Sequence, residues 1–529
     1  MPAIITDQYR ILNAETFVDS FVGIGTTGNN NYYTFLGHPN PKNVDVKNYG
    51  ASDWGNPVPN PVDAFDQENF YYDSMLFLKK VTSNDVRRVI PRLDWQTGTI
   101  YEMYRNNYSS TNLTPQTKST TLYGSNYFVL NSEFNLYLCI NNGSNPDNPN
   151  GQKSLFEPTH TNTVPQEAGN GSDGYLWKFL YTISPSDIVK FVTTTYIPLP
   201  KEWGDTTTSN IKDAAVDGKV ETIVIKNGGS GYSIDDSGTV SSTGTISGIP
   251  ITGDGAGGTV TININSGVVE SISGVVGGTG YTYASVRFEA GTFGGKTLLV
   301  GTGAEFEVVI PPKGGHGADI YRELGGFRVM LYSKYDNNVD DVPDYVLGND
   351  FSRVGMVKNP LQFGGTDLLN NTTATNLSAL KLKPDASSGL TTSNVTYTPN
   401  ALITQKVGVG STAVGYVASW NPDTGILKYY QPVGFSTLST YSYKKLDFVG
   451  LGTAITGGSP ENLIVDTSFN NQSSIVVGGK NVSLGQTFNL GKANPDVKKY
   501  SGEIIYIDNR APISRTSSQK EEVKIVIEF

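Results

Sequence analysis

The sequence predicts a mainly-β fold: a layered β-sandwich core with short helices on its loops and two small inserted β-domains. Three observations carry this. Gly numbers 59 and Tyr 30 of 529 residues, while only 17% are charged, and long helices would need more Ala, Leu, Glu and Lys. Short β-branched and aromatic runs recur between clusters of Gly, Asn, Asp, Ser and Pro, which is how strands alternate with turns. The final segment has a period of two. Val523, Ile525, Ile527 and Phe529 fall on one face and Lys524 and Glu528 on the other, the mark of a half-buried strand.

Residues 1–210 read as the first part of the core. Asn13 is placed to cap a short helix that buries Phe17, Val18 and Phe21 and ends at Gly23. Asn31 to Leu36 reads as a strand, and the Pro-rich stretch from His38 to Pro61 as a surface loop. A second helix is expected from about Asp66 to Lys80, with Phe70, Ser74, Phe77 and Leu78 near one face. Ser83 starts a short helical turn. Pro91 sets its own φ and pushes Ile90 to an extended conformation, so Pro91 to Trp95 makes a structural corner. Arg87 and Arg88, an adjacent basic pair, read as part of that turn.

Strands are expected over Thr99 to Tyr104, Tyr127 to Leu130 and Asn135 to Ile140. Asn141 to Gly151 is all turn formers. In Asp173 to Tyr181, aromatics at 175, 177, 179 and 181 alternate with Leu176, Lys178 and Leu180, giving a strand with one aromatic face. Ser184-Pro185-Ser186-Asp187 is a helix start, with Ser at the cap and Pro in the first turn.

Residues 211–312 form the first inserted domain. Gly is frequent there, and no Lys or Arg lies between Lys226 and Arg287. A repeat is visible: Val220 to Tyr232 is echoed by Val268 to Tyr281. Each unit is a strand, a Gly-Gly-x-Gly turn and a Tyr that can plug the base of the turn. The spacing is not that of a phosphate-binding loop, and nothing helical follows. Residues 313–376 return to the core, with a flexible turn at Gly314 to Gly317 and a strand from Phe327 to Tyr332. Residues 377–492 form a second Gly-, Ser-, Thr- and Val-rich insertion. In it Lys406 to Trp420 and Gly425 to Pro432 are strands joined by a turn at Asn421 to Gly425. Residues 493–529 end the core as a hairpin: Ile504 to Ile507, a turn at Asp508 and Asn509, and Pro512 closing off the ladder.

No catalytic constellation is visible. His316 lies near Asp319, but no nucleophile elbow or zinc motif accompanies it, and a structural or exposed His is the expectation. The acidic run from Asp336 to Asp344 lacks the central Gly and terminal Glu of a calcium loop, so a solvated loop is the default and cation binding stays open. Paired carboxylates for glycoside hydrolysis are spatial and escape this reading. Cys139 sits in an apolar run and reads as a small buried hydrophobe. The net charge of −10 and pI near 5.0 argue against nucleic acid and an anionic membrane surface. Neither a signal peptide nor a membrane span is expected, since no basic region precedes an apolar core near residue 1 and no run reaches about 18 apolar residues.

Three motifs occur in order: Pro91-Arg92-x-Asp94-Trp95, Asp173-Gly174-Tyr175-x-Trp177, and Ser501-Gly502-Glu503 through Tyr506, Asn509 and Arg510 to Pro512. Together they resemble the signatures of a baseplate wedge subunit of T-even-type, contractile-tailed bacteriophages. Ser172 stands where the family's second motif has Gly. The resemblance covers about 1–204, 313–375 and 493–529, and leaves the two Gly-rich blocks outside. It implies a non-enzymatic virion protein of the tail baseplate, assembled in the host cytoplasm. It implies a homodimer that binds other wedge subunits, with no nucleic acid, membrane insertion, cofactor or metal. Pro91, Arg92, Asp94, Trp95, Asp173, Gly174, Tyr175, Trp177, Gly502, Glu503, Tyr506, Asn509, Arg510 and Pro512 would be structural residues. Tyr- and Asn-rich loops keep an alternative in view, a receptor-binding or fibre-type tail protein recognising host surface glycans.

Overall fold

The computed structural model describes residues 4–21, 30–38, 58, 60–336, 350–431, 446–450, 452–460, 463–514 and 519–529. The fold is mainly β: of the described residues, 44% lie in strands and 10% in helices. The chain divides into two compact units. One comprises residues 1–17, 87–330 and 526–529, the other 18–86 and 331–525. The core expected over 1–210, 313–376 and 493–529 is thus distributed over both. Of the four boundaries, one falls inside the helix Asp7–Asp19 and three inside the strands Val86–Pro91, Arg328–Tyr335 and Glu521–Glu528.

The first unit centres on a sheet ordered Phe128–Leu130, Asn135–Asn142, Tyr175–Thr182, Gln166–Glu167. Leu136, Tyr137, Leu138 and Cys139 are all fully buried, so the apolar run is covered on both faces. Burial pushes the Cys139 thiol well above its usual range, as for a packed hydrophobe. Tyr175, Trp177, Phe179 and Tyr181 are buried as the aromatic alternation predicts. Lys178 and Leu180, on the opposite face, are buried too.

Several expected elements differ. The first helix is Asp7–Asp19 and buries Ile11 and Ala14. Its start is set by Thr6, whose hydroxyl accepts from Tyr9 N at 3.3 Å, and Asn13 lies inside it. The second helix, Phe65–Ser74, stops where the strand Met75–Val81 begins. That strand pairs with Tyr32–Gly37 on one side and Thr373–Thr375 on the other, so Phe77 and Leu78 serve a sheet. Thr99 to Tyr104 is no regular strand. Its backbone bonds to separate partners, Glu102 N to Asn126 O and Tyr104 N to Cys139 O. Arg87 and Arg88 lie in the strand Val86–Pro91, where Arg87 pairs with Asp187 at 3.0 Å and Arg88 covers the Tyr321 ring. Asn142, expected in an unpacked loop, is buried in a strand and donates to Tyr101 O.

The 220–310 block has a hydrophobic cluster of its own, including Ile246, Ile249, Ile262 and Leu298. In the second unit, a five-stranded sheet runs Thr373–Thr375, Met75–Val81, Tyr32–Gly37, Asp350–Lys358, Glu503–Ser514. The 377–492 block belongs to this unit, and Tyr416, Ala418 and Tyr430 share a cluster with Leu36, Phe77 and Tyr335. Lys406 to Trp420 is two strands, Leu402–Gly408 and Ser411–Asn421. The turn after Asn421 forms as expected, with Asn421 opposite Ile426.

The terminal hairpin is not present. Glu503–Ser514 continues through Asp508, Asn509 and Pro512 and pairs with Asp350–Lys358. Glu521–Glu528 lies in a different sheet, beside Arg328–Tyr335. Pro512 is tolerated because the register shifts between Phe351 and Arg353, so its missing N–H falls in a bulged stretch.

Candidate functional site

The first two motifs, about eighty residues apart in the chain, meet in one hydrogen-bonded cluster of the first unit. Pro91 ends its strand opposite Tyr196. Arg92 Nε then donates to both Asp94 carboxylate oxygens, at 2.8 and 3.0 Å, and Nη1 to Thr193 O at 3.1 Å. This fixes the corner, so that Trp95 N reaches Leu130 O at 2.8 Å and Trp95 Nε1 reaches Ser154 Oγ at 3.0 Å.

From the other side, the buried Asp173 carboxylate accepts from Leu155 N at 2.8 Å and Tyr175 N at 3.2 Å. Tyr175 Oη donates to Gln152 O at 2.7 Å and accepts from Tyr101 N at 2.9 Å. Trp177 stacks on Tyr175 with centroids 5.2 Å apart and meets Tyr101 edge-on. Gly174 has φ +71°, and a Cβ there would lie 2.9 Å from Gly143 Cα. Both motifs therefore clamp the segment 152–155. Burial raises the phenol of Tyr175 far above its ordinary value, so it stays a neutral donor and acceptor. Tyr101, Gln152, Ser154 and Leu155 were not singled out in the sequence. They join through loops, and no periodic signal marks such contacts.

The third motif lies in the second unit. Gly502 O accepts from Tyr72 Oη at 2.7 Å. Glu503 faces Lys358 at 3.6 Å, an exposed pair. Asn509 Oδ1 accepts from the buried Arg353 Nε at 3.0 Å, and Arg353 also covers the Tyr71 ring. Arg510 bonds Asp508 at 2.6 Å on the surface. Tyr506 lines a groove of about 580 Å³ with Ile504, Ile505, Ile507, Glu68, Tyr71 and the segment Pro61 to Phe65. Phe65 is 94% exposed there, while Tyr71 Oη anchors the wall through Val62 N and O, both at 2.8 Å. The strand beside the groove is last in its sheet, with a bulge at Ile505.

His316, Asp319 and Asp336 each have a partner within the chain. His316 is buried, contrary to a flexible turn, and its Nδ1 lies 2.6 Å from Glu323 Oε1. Gly317 N donates to the other Glu323 oxygen, and Tyr104 meets the imidazole edge-on. Asp319 instead caps the short helix Ile320–Glu323. Of the acidic run, Asp336 is paired with Lys334 and Lys520, and residues 337–344 lie outside the described residues. Among the described residues no group of three or more His, Cys, Asp or Glu could hold a metal ion, and no helix is long and apolar enough to cross a membrane. No family model matches the chain, and no curated protein matches it.

Proposed function

We propose that this chain is a structural virion protein, a baseplate wedge component of a contractile phage tail. In this reading it dimerises with a second copy and binds neighbouring wedge subunits during tail assembly and contraction. The observation that carries the reading is the occurrence of three motifs in order. Their side chains support a building role: Arg92, Asp94, Trp95, Asp173 and Tyr175 tie loops together, and Asn509 holds a buried arginine. Such residues make a rigid strut and leave binding to surfaces. The groove beside Ile504 to Ile507, with the exposed Phe65 at its rim, is the surface that we assign to a neighbouring protein.

The test is the solution mass and shape of the purified chain, by light scattering with small-angle X-ray scattering, followed by co-purification with wedge proteins. A compact two-fold dimer that co-purifies with wedge proteins is the expected result. An elongated trimer would overturn the proposal in favour of the fibre-type reading, and a glycan screen would follow.

A further inference from the structure

The Gly-rich block contains one unit twice, and the structure interlocks the two copies. Gly218, Val220, Gly228, Gly229 and Tyr232 recur at the same spacing as Gly267, Val269, Gly277, Gly278 and Tyr281. The similarity then continues beyond the turn. Gly255-Ala256-Gly257-Gly258, which leads into the strand Thr259–Asn265, recurs as Gly301-Thr302-Gly303-Ala304 at the start of Thr302–Val308. The first copy spans 218–265 and the second 267–308.

The defining contacts cross from one copy to the other, in matched pairs. The first strand of copy one, Ile223–Ser230, pairs with the last strand of copy two, Thr302–Val308. The first strand of copy two, Val268–Val276, pairs with the last strand of copy one, Thr259–Asn265. Ile223 faces Val308 as Ile272 faces Ile262. Tyr232 Oη accepts from Ala304 N at 3.2 Å, and Tyr281 Oη accepts from Gly258 N at 3.1 Å. Tyr232 N donates to Gly267 O at 3.0 Å, and Tyr281 N to Gly218 O at 3.3 Å.

The same symmetry explains the glycines. A Cβ on Gly228 would lie 2.6 Å from Val269 O, and one on Gly277 would lie 2.3 Å from Val220 O. A Cβ on Gly229 would lie 2.5 Å from Ala304 N, and one on Gly278 would lie 2.6 Å from Gly258 N. Each turn is bare because the other copy's backbone rests on it. Each Tyr then fills the space that the glycines leave, and both rings are buried.

We infer that each unit's turn face is a recognition surface for a second copy of the same unit, supplied here in cis, and that residues 218–308 form one closed pair. Pairings such as Gly244–Gly253 with Thr259–Asn265 stay inside one copy, but neither copy pairs its own first strand with its own last strand, so neither completes its fold alone. The contacts are reciprocal, as in an isologous interface, and two copies close the arrangement. This goes beyond the proposed role of the whole chain and does not depend on it.

The experiment is hydrogen exchange read by mass spectrometry on the full chain, comparing wild type with Tyr232→Ala and Tyr281→Ala. Strands Asn135–Asn142 and Tyr175–Thr182 serve as the internal reference. A closed pair makes each single change raise exchange about tenfold or more at both turns and in all four strands, while the reference stays protected. The Tyr281 change opening 255–281 while 223–232 and 302–308 keep their protection would overturn the inference. If the Ala variants do not fold, Tyr232→Phe and Tyr281→Phe keep the rings and remove the acceptors of Ala304 N and Gly258 N, the Tyr281 change also removing a donor to Ile251 O. Their smaller increases should appear equally at both turns, and an increase confined to the altered turn would likewise overturn it.

Discussion

At the scale of single residues, the two clustered motifs act as hydrogen-bonding hubs, and this can be measured. Tyr175→Phe removes a donor to Gln152 O and an acceptor for Tyr101 N. It leaves the buried Tyr101 N and the part-buried Gln152 O without this partner, so a loss of about 1–3 kcal/mol is expected in urea titrations. Lys428 offers a pH-dependent counterpart. Desolvation lowers its ammonium from 10.5 to about 8, against an opposing pull from Asp496. Between those pH values the unfolded chain binds the proton that the folded chain has released, so this residue makes stability rise with pH through that window. Lys428→Met should therefore reduce the difference in stability between pH 7 and pH 10.5 by about 1–2 kcal/mol. An unchanged difference in urea unfolding at the two pH values would count against the assignment. The motif residues stood out because Trp, Tyr, Arg and Asp lie close together in short runs. Their partners did not, since Gln152 and Ser154 contribute a backbone carbonyl and a small hydroxyl that carry no pattern.

At the scale of elements, legibility followed local chemistry. The helix Pro185–Phe191 was readable because Ser184, Pro185 and Asp187 all act within one turn, and Ser184 Oγ does accept from Asp187 N at 3.2 Å. Ser184→Ala is expected to cost about 1 kcal/mol, seen as a lower denaturation midpoint with an unchanged denaturant slope. The Ser74 boundary was not readable. Phe70, Tyr71, Tyr72, Phe77 and Leu78 satisfy a helical period as well as a strand run, and strand partners on both sides decided between them. The terminal hairpin failed for a related reason. Asp508, Asn509 and Pro512 are turn formers in isolation, but Asn509 is spent on Arg353 and Pro512 sits in a bulge. Asn509→Ala should destabilise the second unit by about 2 kcal/mol, because it withdraws an uncharged acceptor from a buried guanidinium. The readout is the loss of amide protection in Asp350–Lys358.

At the scale of the molecule, composition marked residues 211–312, where a hydrophobic cluster runs from Val220 to Ile310, whereas the division into two units was hidden. One helix and three strands carry the chain across that division, and an element that continues smoothly leaves no linker signature. The block's strand exchange leads to a further test. Its first and last strands pair with each other, with Asn227 opposite Glu305. Replacing residues 228–304 by Asn-Gly would join these two positions through the two-residue turn that antiparallel strands favour. The shortened chain keeps Lys226, whose ammonium lies 2.9 Å from Glu307, and the Arg105–Glu307 pair. It also keeps Val224 and Val309 in the core of the first unit. That unit should retain its near-ultraviolet aromatic signal and lose no more than about 2 kcal/mol. Light scattering should give it the same number of copies as the full chain, if the block decorates the protein without taking part in its assembly. Loss of the aromatic signal would make the block integral to the first unit, and a change in copy number with the signal intact would place a subunit contact on the block.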